Sequence, residues 1–168
     1  MTISIIKKSL RLAAVATLFL IAMHGAIADP FLPEIQPTPE YLPDEVVGIQ
    51  MRALGKNDQP FDDAGIELTF RFASPSNKAS TGPLSRFTNL FSNPAYKPML
   101  NHTLLEIGQA EIRGNQARVP VMIEAPDGSR MVYLFMLSRQ SQEPYLDCWM
   151  TDSVNAVKIA PTDESTLM

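Results

Sequence analysis

Met131-Val132-Tyr133-Leu134-Phe135-Met136-Leu137 is apolar at every position. A half-exposed strand alternates apolar and polar residues, so an uninterrupted apolar run of this length reads as a strand covered on both faces. Helices can cover one face. The other calls for a second layer, supplied either by a homodimer partner or by the curl of the sheet around a pocket. Around this run lie further extended stretches: Thr103 to Ile112, Ala117 to Ala125, Met131 to Gln140 itself, and Tyr145 to Asp152. They are separated by Arg113-Gly114-Asn115-Gln116, Pro126-Asp127-Gly128-Ser129 and Ser141-Gln142-Glu143-Pro144, which carry turn chemistry. Four strands joined by short turns make an antiparallel meander. Pro120 lies inside the second strand, where a bulge or bend is expected.

Upstream the period changes. Asp44 follows Pro43 and can cap a helix carrying Val46, Val47, Met51 and Leu54, which ends near Asn57-Asp58. The next apolar segment is ambiguous: Ile66, Leu68, Phe70 and Phe72 alternate as in a strand, while Ile66, Phe70 and Ala73 share a helical face. Ser74 to Gly82 is rich in Ser, Pro, Asn, Lys and Gly and reads as a loop. Pro83 then suits a first helical turn, and Leu84, Phe87, Leu90 and Phe91 follow at offsets of three and four, with Asn93-Pro94 as the stop. Helices first and strands second give an α+β domain over residues 44–155, its N-terminal helices packed on one face of a four-stranded antiparallel sheet.

Residues 29–43 hold five prolines and read as an extended leader, and residues 156–168 as a polar tail. At the N-terminus Lys7, Lys8 and Arg11 precede an apolar run of 12 residues, Leu12 to Met23, and Ala26-Ile27-Ala28 fits the small-x-small pattern of a signal-peptidase site. The expectation is a signal peptide over residues 1–28, cleaved after Ala28, and a periplasmic or secreted product. Twelve apolar residues fall short of the roughly 20 that cross a bilayer, so no stable membrane anchor is expected.

The chain has 168 residues, 45% apolar and 19% charged, the composition of one globular domain. Its net charge of −4 becomes −7 once residues 1–28 are removed, which argues against a nucleic-acid partner. The same cleavage leaves His102 as the one histidine. The single Cys148 has no intramolecular partner for a disulfide, so stability rests on the core.

The segment with Gln50, Ala53-Leu54 and Asn57-Asp58 is followed by Gly65-Ile66-Glu67-Leu68-Thr69-Phe70-Arg71-Phe72-Ala73-Ser74. Then come Arg86-Phe87, Pro94-Ala95-Tyr96-Lys97-Pro98-Met99-Leu100, and a closing strand with Trp149. In this order they resemble the family called domain of unknown function 4864, over about residues 44–155. That family is similar to the nuclear-transport-factor-2-like superfamily, in which helices close one side of a curved antiparallel sheet and leave a pocket, giving a cone. The resemblance implies that residues 63–73 are helical. It implies no reaction, because the superfamily hosts enzymes, binders and assembly modules alike.

Chemistry is sparse. One histidine and one cysteine do not make a zinc site, so no metal is expected, and no cofactor motif or nucleophile elbow occurs. What the superfamily suggests is an isomerase- or cyclase-like site, a buried carboxylate with a phenol or imidazole to polarise a carbonyl. Asp147, flanked in alternation by Tyr145 and Trp149, with His102 and Tyr96, are the candidates for it. Each has a plainer reading: Asp147 on the solvent side of an edge strand, His102 in a loop, Tyr96 as an anchor between Pro94 and Pro98, Trp149 in the core. Arg71, Tyr133 and Trp149 are the ligand-binding candidates. Arg71, between Phe70 and Phe72, either pairs with Glu67 or Glu45 or binds an anion in a pocket. The leading expectation is a non-catalytic exported domain that binds a small apolar or amphipathic ligand, or a partner, through its pocket or sheet. A small isomerase-like enzyme and a homodimerisation module are the alternatives.

Overall fold

The structure is a computed structural model and describes residues 35–157. The expected signal peptide, most of the leader up to residue 34 and the tail from residue 158 lie outside the described residues. Four helices come first, α1 (Pro43–Leu54), α2 (Ala64–Arg71), α3 (Pro75–Thr81) and α4 (Leu84–Leu90), and a 3-10 turn over Lys97–Met99 leads into the sheet. The strands are β1 (Leu104–Ile107), β2 (Glu111–Arg113), β3 (Gln116–Glu124), β4 (Arg130–Arg139) and β5 (Trp149–Val157). All pair antiparallel in the order β1-β3-β4-β5, with β2 following β1 along the same edge of β3. The fold is α+β.

Local chemistry explains several boundaries. Pro43 is the first residue of α1, and the helix is opened not by Asp44 but by Glu45, whose carboxylate accepts the Leu42 backbone N–H at 2.8 Å. Asn57 starts α2: its carbonyl accepts Gly65 N–H at 2.9 Å, its Oδ1 accepts Ile66 N–H at 3.1 Å, and its Nδ2 donates to Asp58 and Asp63. Gly65 is needed there, since a Cβ would collide with the Ala53 carbonyl oxygen and lie 3.0 Å from Asn57 Cα. The ambiguous segment is therefore helical, as the resemblance implies.

Two strand expectations are corrected. The stretch Thr103 to Ile112 is not one strand: it is cut at Gly108, where a Cβ would lie 2.7 Å from Pro120 Cγ. The register between β3 and β4 runs through Pro120 without a bulge. Gly108 N–H donates to Pro120 O, so Pro120 turns its missing donor toward the gap between β1 and β2. The bulge sits instead in β4–β5, where Met136 pairs with Ser153 and Leu137 with Thr151, leaving Asp152 as the extra residue.

The helices pack on the face of the sheet that carries Val119, Val121 and Ile123 from β3 and Tyr133, Phe135 and Leu137 from β4. With Val46, Val47, Met51, Leu54, Ile66 and Phe72 these form one core, every member 1% exposed or less. The opposite face of β4 carries Val132, Leu134 and Met136, which are half-buried rather than covered. The expectation that both faces are sealed holds within this chain for the helix side alone.

Candidate functional site

Between the helices and β4–β5 lies a cavity of about 390 Å³, within the size range of small-molecule sites. One wall is apolar. Phe87, Leu90 and Phe91 come from α4 and its end, backed by Met99 and Phe135. The Phe87 ring lies 5.0 Å from that of Phe70 and 5.7 Å from that of Phe91, tilted and edge-on, which fixes the wall's shape.

The other wall is polar and is built by α3 against the start of β5. Ser74 caps α3, its Oγ accepting Asn77 N–H at 3.2 Å, and Pro75 takes the first helical position. Ala73 bridges Thr151 in parallel: Thr151 N–H donates to Phe72 O at 3.0 Å, and Thr151 O accepts from Ser74 N–H at 2.8 Å and Asn77 Nδ2 at 3.0 Å. These bonds lay α3 along β5 and present Asn77, Ser80 and Thr81 to the cavity.

Beside the core is a buried polar chain. Thr151 Oγ1 donates to Gln50 Oε1 at 2.7 Å, and Gln50 Nε2 donates to Thr69 O at 3.1 Å. All three residues line the cavity and are at most 7% exposed, so this chain also ties α1, α2 and β5 together. Asp152 is the one acidic residue along the lining, which includes no Lys, Arg or His. Its Oδ1 accepts from Ser138 Oγ at 2.9 Å.

The candidates read from the sequence do not meet. Tyr96 lines the cavity and donates its hydroxyl to Val154 O at 3.2 Å. Asp147 lies in the β4–β5 connection rather than in a strand, exposed, with φ of 63° and an ion pair to Arg139 at 3.3 Å. His102 is half-buried; its Nδ1 donates to Met99 O at 2.9 Å, and its ring packs on Gly55 at the end of α1. Trp149 opens β5 and belongs to the core. Tyr133 is fully buried, donates to Ala95 O at 2.9 Å, and has its pKa pushed up to about 12 by burial and then by Tyr96. Arg71 pairs with Glu67 at 3.5 Å and donates to Ile35 O at 3.2 Å, which pins the leader to α2.

Other titratable groups have structural surroundings. Lys78 donates to Arg71 O at 2.9 Å and lies over the Phe70 and Tyr145 rings, and burial followed by Arg71 lowers its pKa. Burial, then Glu40, Asp147 and Glu143, push the Cys148 thiol up, away from thiolate reactivity. Among the described residues no three His, Cys, Asp or Glu side chains gather as a metal site.

Sequence reasoning missed most of the lining. Asn77, Ser80 and Thr81 lie in the stretch read as a loop, although the Ser74-Pro75 pair is a helix-start signal. The family model described as Domain of unknown function (DUF4864) matches residues 43–165, nearly all of the domain described above. No curated protein and no solved structure matches the chain.

Proposed function

The chain belongs to the family described as a domain of unknown function, DUF4864, and from that premise we propose that its domain is a binding module which takes a small amphipathic molecule into the cavity between helices and sheet. The observation that carries this reading is the division of the 390 Å³ cavity into a wall of aromatic and aliphatic side chains and a wall of hydrogen-bonding groups. Polar groups set against an apolar wall are how such sites orient a ligand. Helices over one face of an antiparallel sheet with a pocket between them is also what the nuclear-transport-factor-2-like resemblance implies, and it supports that assignment. The isomerase-like alternative has no comparable support, since Asp147 and His102 lie apart from the cavity that Tyr96 lines.

Fluorescence of the neutral dye N-phenyl-1-naphthylamine tests the reading. Enhancement is expected with the native protein and is expected to fall at least fivefold in Leu90→Trp, which fills the apolar wall while α4 is retained. Equal enhancement in both, or none in the native protein, contradicts it.

A second reading, assembly of two copies through the outer sheet face, is favoured by one observation: Val132, Leu134 and Met136 of β4 are only half-buried, beside Pro120 and Met122 of β3. Sedimentation of the native protein against Leu134→Glu checks it, a dimer that dissociates being the supporting result. Export follows from the N-terminal sequence, and an intact mass beginning at Asp29 in the periplasmic fraction is the expected outcome.

A further inference from the structure

We propose that the cavity selects uncharged molecules, admitting a neutral amphiphile with an alcohol or amide head and turning away ionised heads of either sign, an inference that rests on the ligand-binding reading above. A charge taken out of water is costly unless a partner of opposite sign meets it. The lining includes no Lys, Arg or His to meet an anion. For a cation the one acidic residue is Asp152, and its carboxylate is held elsewhere. Its Oδ1 accepts from Ser138 Oγ at 2.9 Å, and Ser138 lies with Leu134 and Met136 on the face of β4 opposite the helices.

The polar wall carries both donors and acceptors, and the protein has already joined them to one another. Asn77 Nδ2 donates to Thr151 O at 3.0 Å, and Asn77 Oδ1 accepts from Thr81 Oγ1 at 3.1 Å. Gln50 donates to Thr69 O and accepts from Thr151 Oγ1, while the Thr69 and Tyr96 hydroxyls donate to Gly65 O at 2.8 Å and Val154 O at 3.2 Å. Among the described residues no buried side-chain nitrogen or oxygen is without a partner. An ionised head would therefore exchange bulk water for neutral groups that are already engaged. The faces of Phe87 and Phe91 return only part of a cation's lost hydration and none of an anion's. A neutral head asks for less. An amide nitrogen has two protons and a hydroxyl oxygen two lone pairs, so Asn77 and the threonines can serve an alcohol or amide with their existing bonds intact.

Calorimetric titration of the protein purified from cells expressing the full sequence, with 1-octanol, octanoate and octylamine, holds the tail constant and varies the head. At pH 7, 1-octanol is expected to bind at least tenfold tighter than either ion. The two ionisable ligands then test charge directly, since pH sets the neutral fraction of each: the acid has a pKa of about 4–5 and the amine one of about 10. Octanoate is expected to tighten at least tenfold from pH 7 to pH 5, and octylamine at least tenfold from pH 7 to pH 9. 1-Octanol, which does not ionise, is expected to stay within twofold at all three and so reports on the protein itself. Either ion matching 1-octanol at pH 7, or an affinity for either that ignores pH, overturns neutral selection while the cavity stands as a ligand site. Binding of none of the three, or 1-octanol binding unchanged in Leu90→Trp, overturns both.

Discussion

The two faces of β4 are built from the same kind of residue and live in different surroundings. Tyr133, Phe135 and Leu137 on one side are at most 1% exposed beneath the helices, whereas Val132, Leu134 and Met136 on the other stay half-buried. Apolarity thus measures what a strand tolerates, and the packing of helices decides which face becomes core. The helix side also holds the cavity, which residues of α3, α4 and β5 line, while α1 packs against β1, β3 and β5.

The largest test of this contrast is a pair of identical truncations. Leu137→Ala removes a fully buried side chain and is expected to cost about 2–5 kcal/mol, while Leu134→Ala on the opposite face is expected to cost roughly 1 kcal/mol or less. Urea unfolding of both variants measures the difference, and equal losses would show that the outer face is covered too. Next in size is Gly65→Ala, where the added methyl must push α2 off the end of α1; a loss of about 1–3 kcal/mol is expected from overpacking. Ala64→Gly next door removes a methyl without that clash and serves as its control. The smallest effect concerns Tyr133. Its folded pKa of about 12 lies above the ordinary tyrosine value, so the folded chain holds the phenol proton where the unfolded chain releases it. Its contribution is fully present below about pH 10 and is lost as pH rises toward 12. Tyr133→Phe is expected to cost about 0.5–1.5 kcal/mol at neutral pH through the lost bond to Ala95 O, and to flatten the alkaline fall in stability.

Much of the fold is legible in the sequence. The Leu84, Phe87, Leu90, Phe91 stripe gives α4, and the turn residues around Gly114 and Gly128 give the hairpins, because each is a local signal. The misses are places where a contact distant in sequence decides. Gly108 ends β1 because Pro120 presses on it from β3. The strand expected over Tyr145 to Asp152 starts at Trp149 and runs on to Val157, since Asp147 turns with a positive φ and Gln140 instead pairs with Cys148. The site was harder to read than the fold. Gln50, Thr69 and Thr151 are 19 and more residues apart, and nothing in their local sequence marks them as partners. Their junction is visible only once α1, α2 and β5 are packed.

Native mass spectrometry of the protein purified from cells expressing the full sequence tests the cavity most directly. A reproducible added mass of a small molecule is expected on the native protein, displaced by the neutral dye and missing from Leu90→Trp. A native protein that carries no added mass and does not take up the neutral dye would contradict the ligand-binding reading.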